Sequence, residues 1–447
     1  DIGTKVRNAL LAAGYPDARV RMSHTVSAPV EGISEGKVAV TARAEPGPRV
    51  TLGRIRYEGL GRIRASVLDS RIENQPGEPL NLLEFERARY RLSRLGVFRR
   101  VDVRFEPEDG TVRDGVFHIE PGRQLDLSLL AGYNTYEQLR VGAEIRHYNL
   151  WGRAHQSRML LVQSMKSSRG EYDYTAPELF GENVHGTARL SGLHREEVAF
   201  LRQEYGANVG INTPLRFLGL NASVDYTFEV LRNRDNHLAT GATDRSQVDV
   251  ASVAGTLTRD RRDNSLLPRK GYRIYGRGEI ASSVLGGNAE YQRFELGGSY
   301  HLPWGEDRWW HFAIAHGVIM TSRHNEQLPV NKLFFPGGDG SNRGYNNGEA
   351  APRDRDGRFL GAKSVVNASV EFEQAIVHHL SGILFVDGLG AAAKLADYPF
   401  RDALFAVGLG VRYRTVVGPV RAEYGYNLNR RVGDPAGTFL FSIGFPF

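Results

Sequence analysis

The chain has 447 residues, a formal net charge of +6 and no cysteine. Without cysteine it forms neither disulfides nor thiolate metal sites, and it lacks the run of about 18 apolar residues that a membrane helix needs. The positive charge comes mostly from arginine, with no basic helix and no aromatic-spaced basic motif, so we do not expect nucleic acid as a partner.

Residues 1 to about 121 combine helical and strand patterns. A strand at 50–57, a short helix at 65–72, an amphipathic helix at 82–95 and two strands within 98–119 form one unit. A helix and two strands before it repeat the last part of that order, which indicates an array of small domains. Because this first unit lacks an opening strand and helix, we expect the native protein to continue toward the N-terminus. The predicted domains are 1–48, 49–121 and 122–447.

Beyond residue 124 the helical period disappears, and alternating segments of about ten residues recur between Gly, Asn, Asp and Pro. We count 16 segments, and a closed bacterial membrane barrel requires an even number of antiparallel strands, because closure pairs every backbone group in lipid. A soluble sandwich would also alternate, but so many strands with outward aromatic residues favour the membrane barrel. The fourth segment is predicted at 170–179, the seventh at 216–230 and the last at 438–447.

The longest predicted connection, 321–363, holds the sequence LFFPGGDGSNRGY at 333–345. Its glycines permit a tight reversal of the backbone, and its arginine provides a directed fork of hydrogen-bond donors. This stretch resembles the Arg-Gly-Phe/Tyr loop of the BamA/TamA superfamily of outer-membrane protein assembly factors. The loop residues that we single out are Gly337, Gly338, Arg343, Gly344 and Tyr345.

Other stretches resemble the same superfamily. Residues 149–152 (NLWG) resemble its turn after the second strand, and residues 174–181 (YTAPELFG) its turn after the fourth. The strand-helix-helix-strand-strand order of 49–121 resembles a POTRA domain. The resemblance extends over essentially the whole chain. It implies an all-β transmembrane barrel of 16 antiparallel strands with N-terminal α+β POTRA domains.

In the resembled superfamily the loop folds back into the barrel lumen, where its arginine meets acidic residues of the inner wall. Residues 369–372 (SVEF) resemble the Ser-x-Glu-aromatic stretch of the superfamily, and residues 385–388 (FVDG) resemble its Phe-x-Asp-x-Gly motif. A leucine stands at 389 where the superfamily has glycine. The resemblance implies Glu371 and Asp387 as pairing acids, with Phe385 and Gly388 in support. The alternative is a solvated loop arginine without a fixed partner.

The weak point of the barrel is expected at the seam between its first and last strands. Glycine packs little and proline provides no donor, so both reduce pairing near the end of the last strand. A client hairpin could then pair with the exposed first strand. The predicted seam residues are Leu125, Leu127, Leu129, Gly444, Pro446 and Phe447.

The resemblance implies assembly, insertion or translocation of outer-membrane proteins through this seam, in the bacterial outer membrane with the POTRA domains in the periplasm. The compact loop is most TamA-like. That subtype implies unfolded outer-membrane protein clients, membrane lipid and a periplasm-spanning TamB-like partner. The alternatives are a BamA-like core assembly factor, a two-partner secretion transporter and, less favoured, a passive porin.

No catalytic residue is predicted. The sequence holds no Gly-x-Ser-x-Gly elbow and no His-Glu-x-x-His pair, and its histidines are dispersed. Asp354, Asp356 and Gly357 form a fragment of a calcium loop, which we interpret as a turn. We therefore expect neither an enzyme nor a bound metal or cofactor.

Overall fold

The chain folds into two compact units, Asp1–Asp126 with His147–Gln156, and Leu127–Arg146 with Ser157–Phe447. The helices among the described residues are too short or too polar to cross a membrane. The computed structural model describes residues 2–26, 38–234, 237–239, 247–321, 328–397, 399–415 and 418–444.

The first unit contains two small sheets. A two-stranded antiparallel sheet follows the first helix, and a three-stranded sheet follows it in the order β3-β5-β4, with β3 parallel and β4 antiparallel to β5. The predicted helix at 65–72 is shorter, a single turn. The elements are α1 (Ile2–Ala12), β1 (Arg19–Val26), β2 (Val38–Glu45), β3 (Thr51–Glu58), α2 (Ser66–Asp69), α3 (Leu82–Ser93), β4 (Phe98–Glu106) and β5 (Val112–Pro121).

Helix α3 packs on the three-stranded sheet through one apolar face. The Asn81 side chain accepts a hydrogen bond from the Glu84 backbone N–H at 3.3 Å and caps the helix. Phe85 is buried and stacks on Phe117 of β5, with ring centroids 5.7 Å apart. A Cβ at Gly115 would lie 2.8 Å from the Phe85 ring, so glycine makes room for this contact. The sequence pattern thus produces a small core of its own in this unit.

The remaining strands close into a barrel of 16 strands, in which β21 returns to β6. The ladders whose register is described are antiparallel. The predicted strand number is confirmed. The strands are β6 (Leu125–Asn134), β7 (Gln138–Leu150), β8 (His155–Ser164), β9 (Ser167–Ala176), β10 (His185–Glu196), β11 (Leu201–Leu215), β12 (Leu220–Arg234), β13 (Gln247–Asp260), β14 (Gly271–Ala281), β15 (Tyr291–Pro303), β16 (Arg308–Thr321), β17 (Ser364–Val377), β18 (Leu380–Ala392), β19 (Leu404–Thr415), β20 (Gly418–Asn427) and β21 (Gly437–Ile443).

Two predicted strands are shifted along the chain at both ends. The fourth segment, predicted at 170–179, is β9 and ends before Pro177, because proline cannot donate to a ladder. The seventh, predicted at 216–230, is β12 and starts later, because Leu218 and Gly219 donate turn hydrogen bonds back to residues 215 and 216. Of the last segment, predicted at 438–447, residues 445–447 lie outside the described residues.

Side chains on the barrel strands alternate between the interior and the outer face. On β18, Phe385 and Asp387 are buried, whereas Leu384 and Val386 are exposed on the other face. The apolar outer face and the polar inner face are typical of a membrane barrel. This alternation turns acidic residues of several strands toward one point inside the barrel.

Candidate functional site

The connection between β16 and β17 forms the candidate site, and we call its described residues 328–363 the lumen loop. Gly338 donates backbone hydrogen bonds to the carbonyl oxygens of Asn342 and Tyr345, at 3.1 and 3.0 Å. Gly337 and Gly338 adopt φ values of +134° and +79°. A Cβ at Gly337 would also lie 2.2 Å from the Asn346 carbonyl oxygen. The two glycines therefore permit the tight reversal that presents the next residues to the barrel wall.

Arg343 binds Asp387 of β18 as a fork. Its Nε and Nη2 donate to Oδ2 and Oδ1, both at 2.8 Å, and its backbone N–H donates to Oδ2 at 3.0 Å. Arg343 is 7% exposed and Asp387 is 1% exposed. A bidentate, charge-assisted pair of this kind is among the stronger hydrogen-bonded contacts in proteins. The structure therefore brings together the predicted loop arginine and one of its two predicted acids.

The same guanidinium contacts two further strands. Its Nη1 donates to Glu371 of β17 at 2.7 Å and to Glu423 of β20 at 3.1 Å. Its Nη2 donates to the Ser369 hydroxyl at 3.1 Å, and its Cζ lies 3.5 Å from the centroid of the Phe385 ring. One side chain of the lumen loop thus binds three strands of the barrel wall.

A second arginine completes the cluster. Arg412 of β19 donates two hydrogen bonds to Glu371, at 2.6 and 2.8 Å, and two to Glu423, at 3.1 and 2.9 Å. Each glutamate therefore bridges two guanidinium groups. Removing one partner from such a buried network leaves an uncompensated charge, at a cost of about 3–5 kcal/mol. We call this cluster the arginine clasp; it consists of Arg343, Arg412, Glu371, Asp387 and Glu423.

Glycines on the inner wall make space for the clasp. A Cβ at Gly408 would lie 2.1 Å from the Phe385 ring, and one at Gly425 would lie 2.4 Å from the Arg343 carbonyl oxygen. In the loop, a Cβ at Gly344 would lie 1.8 Å from Oδ1 of Asn427. Close packing within the wall at Gly408, and between loop and wall at Gly344 and Gly425, therefore leaves no room for a side chain at these positions.

The residues after Arg343 bind the loop to the last two strands. The Gly344 carbonyl accepts hydrogen bonds from Asn427 of β20 at 2.8 Å and from Thr438 of β21 at 2.9 Å. Tyr345 is fully buried and donates to Asp434 at 2.9 Å. Burial alone would raise the pKa of Asp434, but hydrogen bonds from Arg431 and Tyr345 outweigh it and lower the pKa. The Arg-Gly-Tyr stretch thus forms hydrogen bonds with β17, β18, β20 and β21.

The lumen loop is also attached to the opposite wall. Lys332 pairs with Glu229 of β12 and lies 3.9 Å from Glu279 of β14. Asn331 donates to Glu204 of β11 at 3.2 Å, and Arg293 of β15 donates to the Lys332 carbonyl at 3.1 Å. The loop therefore crosses the barrel interior and is held by polar contacts on two sides.

The two residues predicted to support the loop arginine, Phe385 and Gly388, differ in whether they lie near it. Phe385 lies under the Arg343 guanidinium, as described above. The nearest side chain to a Cβ at Gly388 would be the outward-facing Phe405, at 3.2 Å, so the structure does not bring Gly388 to Arg343. Gly388 faces outward because successive residues of a strand point to opposite faces, and its neighbour Asp387 faces inward. Leu389, where the superfamily has glycine, is buried beside Tyr345 in a small apolar cluster.

The seam joins β21 to β6 by a short ladder. The described register contains two pairs, Ser442 with Asn134 and Ile443 with Tyr133. Thr135 adds a backbone hydrogen bond to the Phe441 carbonyl at 2.9 Å. On its other side, β21 forms seven pairs with β20. The seam is therefore much less extensively paired, within the described residues, than the neighbouring ladder.

Three of the predicted seam residues lie away from the described ladder. Leu125, Leu127 and Leu129 are 59%, 67% and 82% exposed on the outer face, because the stagger of the strands sets Ile443 opposite Tyr133 at the other end of β6. Gly444 donates a backbone hydrogen bond to the Pro419 carbonyl at 3.2 Å. Pro446 and Phe447 lie outside the described residues.

Sequence reasoning missed Glu423 and Arg412 as members of the clasp. The same strand period could have found them, because it places each of them on the inner face of its strand. One possible cation site occurs in the described part of the chain, where ligand atoms of His311, Glu371 and Glu373 lie within 4.8 Å of one another. Arg412 already binds Glu371, so a cation there would compete with a guanidinium.

Comparison with known proteins agrees with this architecture. Residues 149–447 match the family model described as the Omp85 superfamily domain, and residues 50–122 match the POTRA model described as a surface antigen variable number repeat. The fold is similar to the crystal structure of BamA from Haemophilus ducreyi lacking POTRA domains 1-3. The TM-score is 0.78 at 19% sequence identity, over 99% of this chain and 92% of that chain.

Two curated relatives are named outer membrane protein assembly factor BamA. The relative from Nitratidesulfovibrio vulgaris is 25% identical over 97% of this chain and 56% of its own length. The relative from Neisseria meningitidis is 21% identical over 99% of this chain and 62% of its own length. The chain thus spans 56% and 62% of the lengths of these relatives. The predicted resemblance is confirmed by the family model, which covers most of the chain: the chain belongs to the Omp85 superfamily.

Proposed function

We propose that the chain assembles or inserts other outer-membrane proteins, and that client strands enter through the seam between β6 and β21. Membership of the Omp85 superfamily and a closed barrel support an outer-membrane location. Two relatives that are named outer membrane protein assembly factors support the activity. The proposed role requires no catalytic residue and no cofactor.

The observation that carries the proposal is the short seam ladder. Strand β6 has ten residues, of which two are paired with β21 in the described register. A strand edge in lipid cannot find water for its backbone groups, and each group without a partner costs several kcal/mol. A client strand that pairs with the part of β6 that has no β21 partner among the described residues would satisfy those groups by strand addition. The energy released by client folding would then drive insertion without a nucleotide.

The arginine clasp fits this role as the fixed side of the gate. It ties the lumen loop to β17, β18 and β20, and the Gly344 carbonyl holds Thr438 of β21. The wall from β17 to β21 therefore keeps its register when the seam opens. We propose that the clasp confines opening to the one junction where few backbone pairs must break.

The subtype that we propose is TamA-like, because the lumen loop is compact and the path from Tyr345 to the last strand is short. The POTRA domains would then lie in the periplasm, where a TamB-like partner and unfolded clients meet them. The β3-β5-β4 sheet has two edge strands that could accept an added strand. A BamA-like core assembly factor is the second candidate, and the names of the two relatives favour it.

The test is client folding in liposomes. The purified protein is reconstituted, an unfolded barrel client is added, and folding is followed by the heat-modifiable mobility of the client on gels. We expect faster folding than in empty liposomes. Unchanged client folding together with a large steady ionic conductance would contradict the proposal and favour a secretion pore or a passive porin.

A further inference from the structure

A cavity of about 250 Å³ lies inside the barrel beside the arginine clasp, with which it shares Glu371 and Arg412. The turn between β13 and β14 forms one side of it, and residues of β15, β16, β17, β19 and β20, with Gly444 after β21, form the other. Two histidines, His301 and His311, contribute to its lining. Its charged lining residues are Arg269, Arg412, Arg414, Arg421, Glu371 and Glu373. With neutral histidines, four guanidinium groups thus face two carboxylates, which gives the cavity a positive balance.

Three of these arginines have acidic partners. Arg412 binds Glu371 in the clasp, as described above. Arg414 donates to Glu373 at 3.1 Å, and Arg421 donates to Asp339 of the lumen loop at 2.9 Å. The excess positive charge of the cavity is therefore concentrated on the fourth arginine, Arg269.

Arg269 is partly buried in the cavity wall and lacks such a partner. Within the described ranges of the chain, no carboxylate oxygen lies within 4.0 Å of its guanidinium nitrogens. Its Nε is buried without a hydrogen-bond acceptor, and its Cζ lies 3.9 Å from the centroid of the Trp309 ring. Burial, and then the nearby Arg414 guanidinium, lower the pKa of Arg269. A desolvated cation of this kind is costly unless an anion binds it.

The turn that carries Arg269 is held in place. Oδ1 of Asp263 accepts backbone hydrogen bonds from Asn264, Arg269 and Lys270, at 2.9, 3.0 and 3.1 Å. The Trp309 ring packs against the Arg269 guanidinium and constrains its orientation. Arg269 is therefore presented to the cavity by a constrained backbone and a flat apolar support, as a binding residue needs.

We propose that this cavity binds a compact oxyanion, a carboxylate or a phosphate group, with Arg269 as its main ligand and Arg414 as a second donor. The guanidinium fork matches both groups and forms paired hydrogen bonds with either. The cavity is smaller than the range of about 300–1,000 Å³ that drug-sized ligands occupy, so the ligand is a small anion or a single anionic group of a larger molecule. The proposal does not depend on the function proposed above.

The experiment uses Trp309 as the reporter, in the full chain in detergent micelles. Trp151, Trp304 and Trp310 are changed to Phe, which leaves Trp309 as the single tryptophan of the four in the chain. Sodium acetate, sodium phosphate and sodium chloride are titrated at matched ionic strength. We expect a saturable change in emission with acetate or phosphate and none with chloride. The anion with the lower half-saturation concentration identifies the preferred group.

Arg269→Gln is the test variant, and Arg308→Gln is its matched control. In the parent chain the Arg308 guanidinium also lies over an aromatic ring, Trp304, at 5.7 Å, and Trp304→Phe keeps an aromatic ring there, but Arg308 does not line the cavity. Hydrogen bonds to charged groups are strong enough that Arg269→Gln should weaken binding at least about tenfold. The control should bind as the parent chain does. An equal response to chloride, or unchanged binding in Arg269→Gln, would overturn the proposal.

A second measurement does not use the tryptophan substitutions. Equilibrium dialysis with radiolabelled acetate and phosphate is run on the otherwise unchanged chain and on Arg269→Lys, which keeps the charge and removes the fork. Heat-modifiable gel mobility verifies that each variant is folded. We expect saturable binding of one anion by the parent and several-fold weaker binding by the lysine variant. No saturable binding of either anion by the folded parent would refute the site.

Discussion

The two sides of β21 differ in how they are held. Toward β20 the strand forms seven ladder pairs, and its Thr438 also binds the carbonyl of Gly344 in the lumen loop. Toward β6 the described ladder has two pairs. The same strand is therefore firmly joined to the wall that carries the arginine clasp and loosely joined to the first strand of the barrel.

The interaction energies on the two sides of β21 explain why the β21–β6 ladder would open before the wall from β17 to β21. An intramolecular hydrogen bond contributes about 0.5–1.5 kcal/mol, so a short ladder contributes little. Breaking one partner of a buried ion pair costs about 3–5 kcal/mol, and the clasp contains several such pairs on neighbouring strands. Within the described residues, the barrel therefore has a fixed wall from β17 to β21 and a weak junction between β21 and β6.

Arg343→Ala, a substitution in the arginine clasp of the fixed wall, is expected to lower the free energy of unfolding most. The variant would leave three buried carboxylates facing one guanidinium, and we expect a loss of about 3–5 kcal/mol in the free energy of unfolding. The urea midpoint of the folded band on gels measures this. Arg355→Ala is the control, because Arg355 is an exposed arginine in the same loop. Equal midpoints for the two variants would show that Arg343 is a solvated loop residue.

Gly344→Ala should disturb the fixed wall by sterics alone. The added Cβ would lie 1.8 Å from Oδ1 of Asn427 and 2.9 Å from Cβ of Ala406. We expect a loss of about 1–3 kcal/mol, typical of overpacking, in the same urea measurement. Gly340→Ala is the matched control, because a Cβ there meets nothing within 4 Å. If both alanine variants unfold at the parental midpoint, the loop does not approach the wall as closely as described.

The clasp should behave as one unit. Because Glu423 bonds both Arg343 and Arg412, the variants Arg343→Ala and Arg412→Gln share a partner and should not be additive. A double-mutant cycle on the urea midpoints should give a coupling energy of about 0.5–3 kcal/mol. Additive effects would mean that the two arginines stabilise the wall independently.

The smallest expected effect is that of Tyr345→Phe, which removes one hydrogen bond to Asp434. We expect a loss of about 0.5–1.5 kcal/mol at pH 7. The folded pKa of Asp434 is lowered, so its stabilising effect is present above the unfolded pKa of about 3.9 and is lost as the pH falls through the folded pKa. The difference between variant and parent should therefore shrink at low pH. A stability difference that grows on acidification would contradict the lowered pKa of Asp434.

Much of the fixed wall could be predicted from sequence. The resemblance to the superfamily implied Arg343 as the loop arginine and Glu371 and Asp387 as its partners, and the strand period agrees with their inward direction. Glu423 and Arg412 were missed because the resemblance drew attention to two strands, although the period holds for all of them. The attachment of Lys332 to β12 and β14 had no signal, because a contact across the lumen leaves no local pattern in the sequence.

The seam could be predicted only as a location. The first and last strands are identified by counting, but their register depends on the stagger of all the strands between them. The predicted residues Leu125, Leu127 and Leu129 lie in the first half of β6, whereas the described pairs with β21 are at Tyr133 and Asn134.

The most direct test of a weak junction beside a fixed wall is to lock each of them separately. The chain has no cysteine of its own, so Tyr133→Cys with Ile443→Cys would crosslink the seam, and Val420→Cys with Ile443→Cys would crosslink β20 to β21. Client folding in liposomes is then compared before and after oxidation. The account predicts that the oxidised seam pair loses client folding and regains it on reduction, while the β20–β21 pair keeps it throughout. Full activity of the oxidised seam pair would contradict the account.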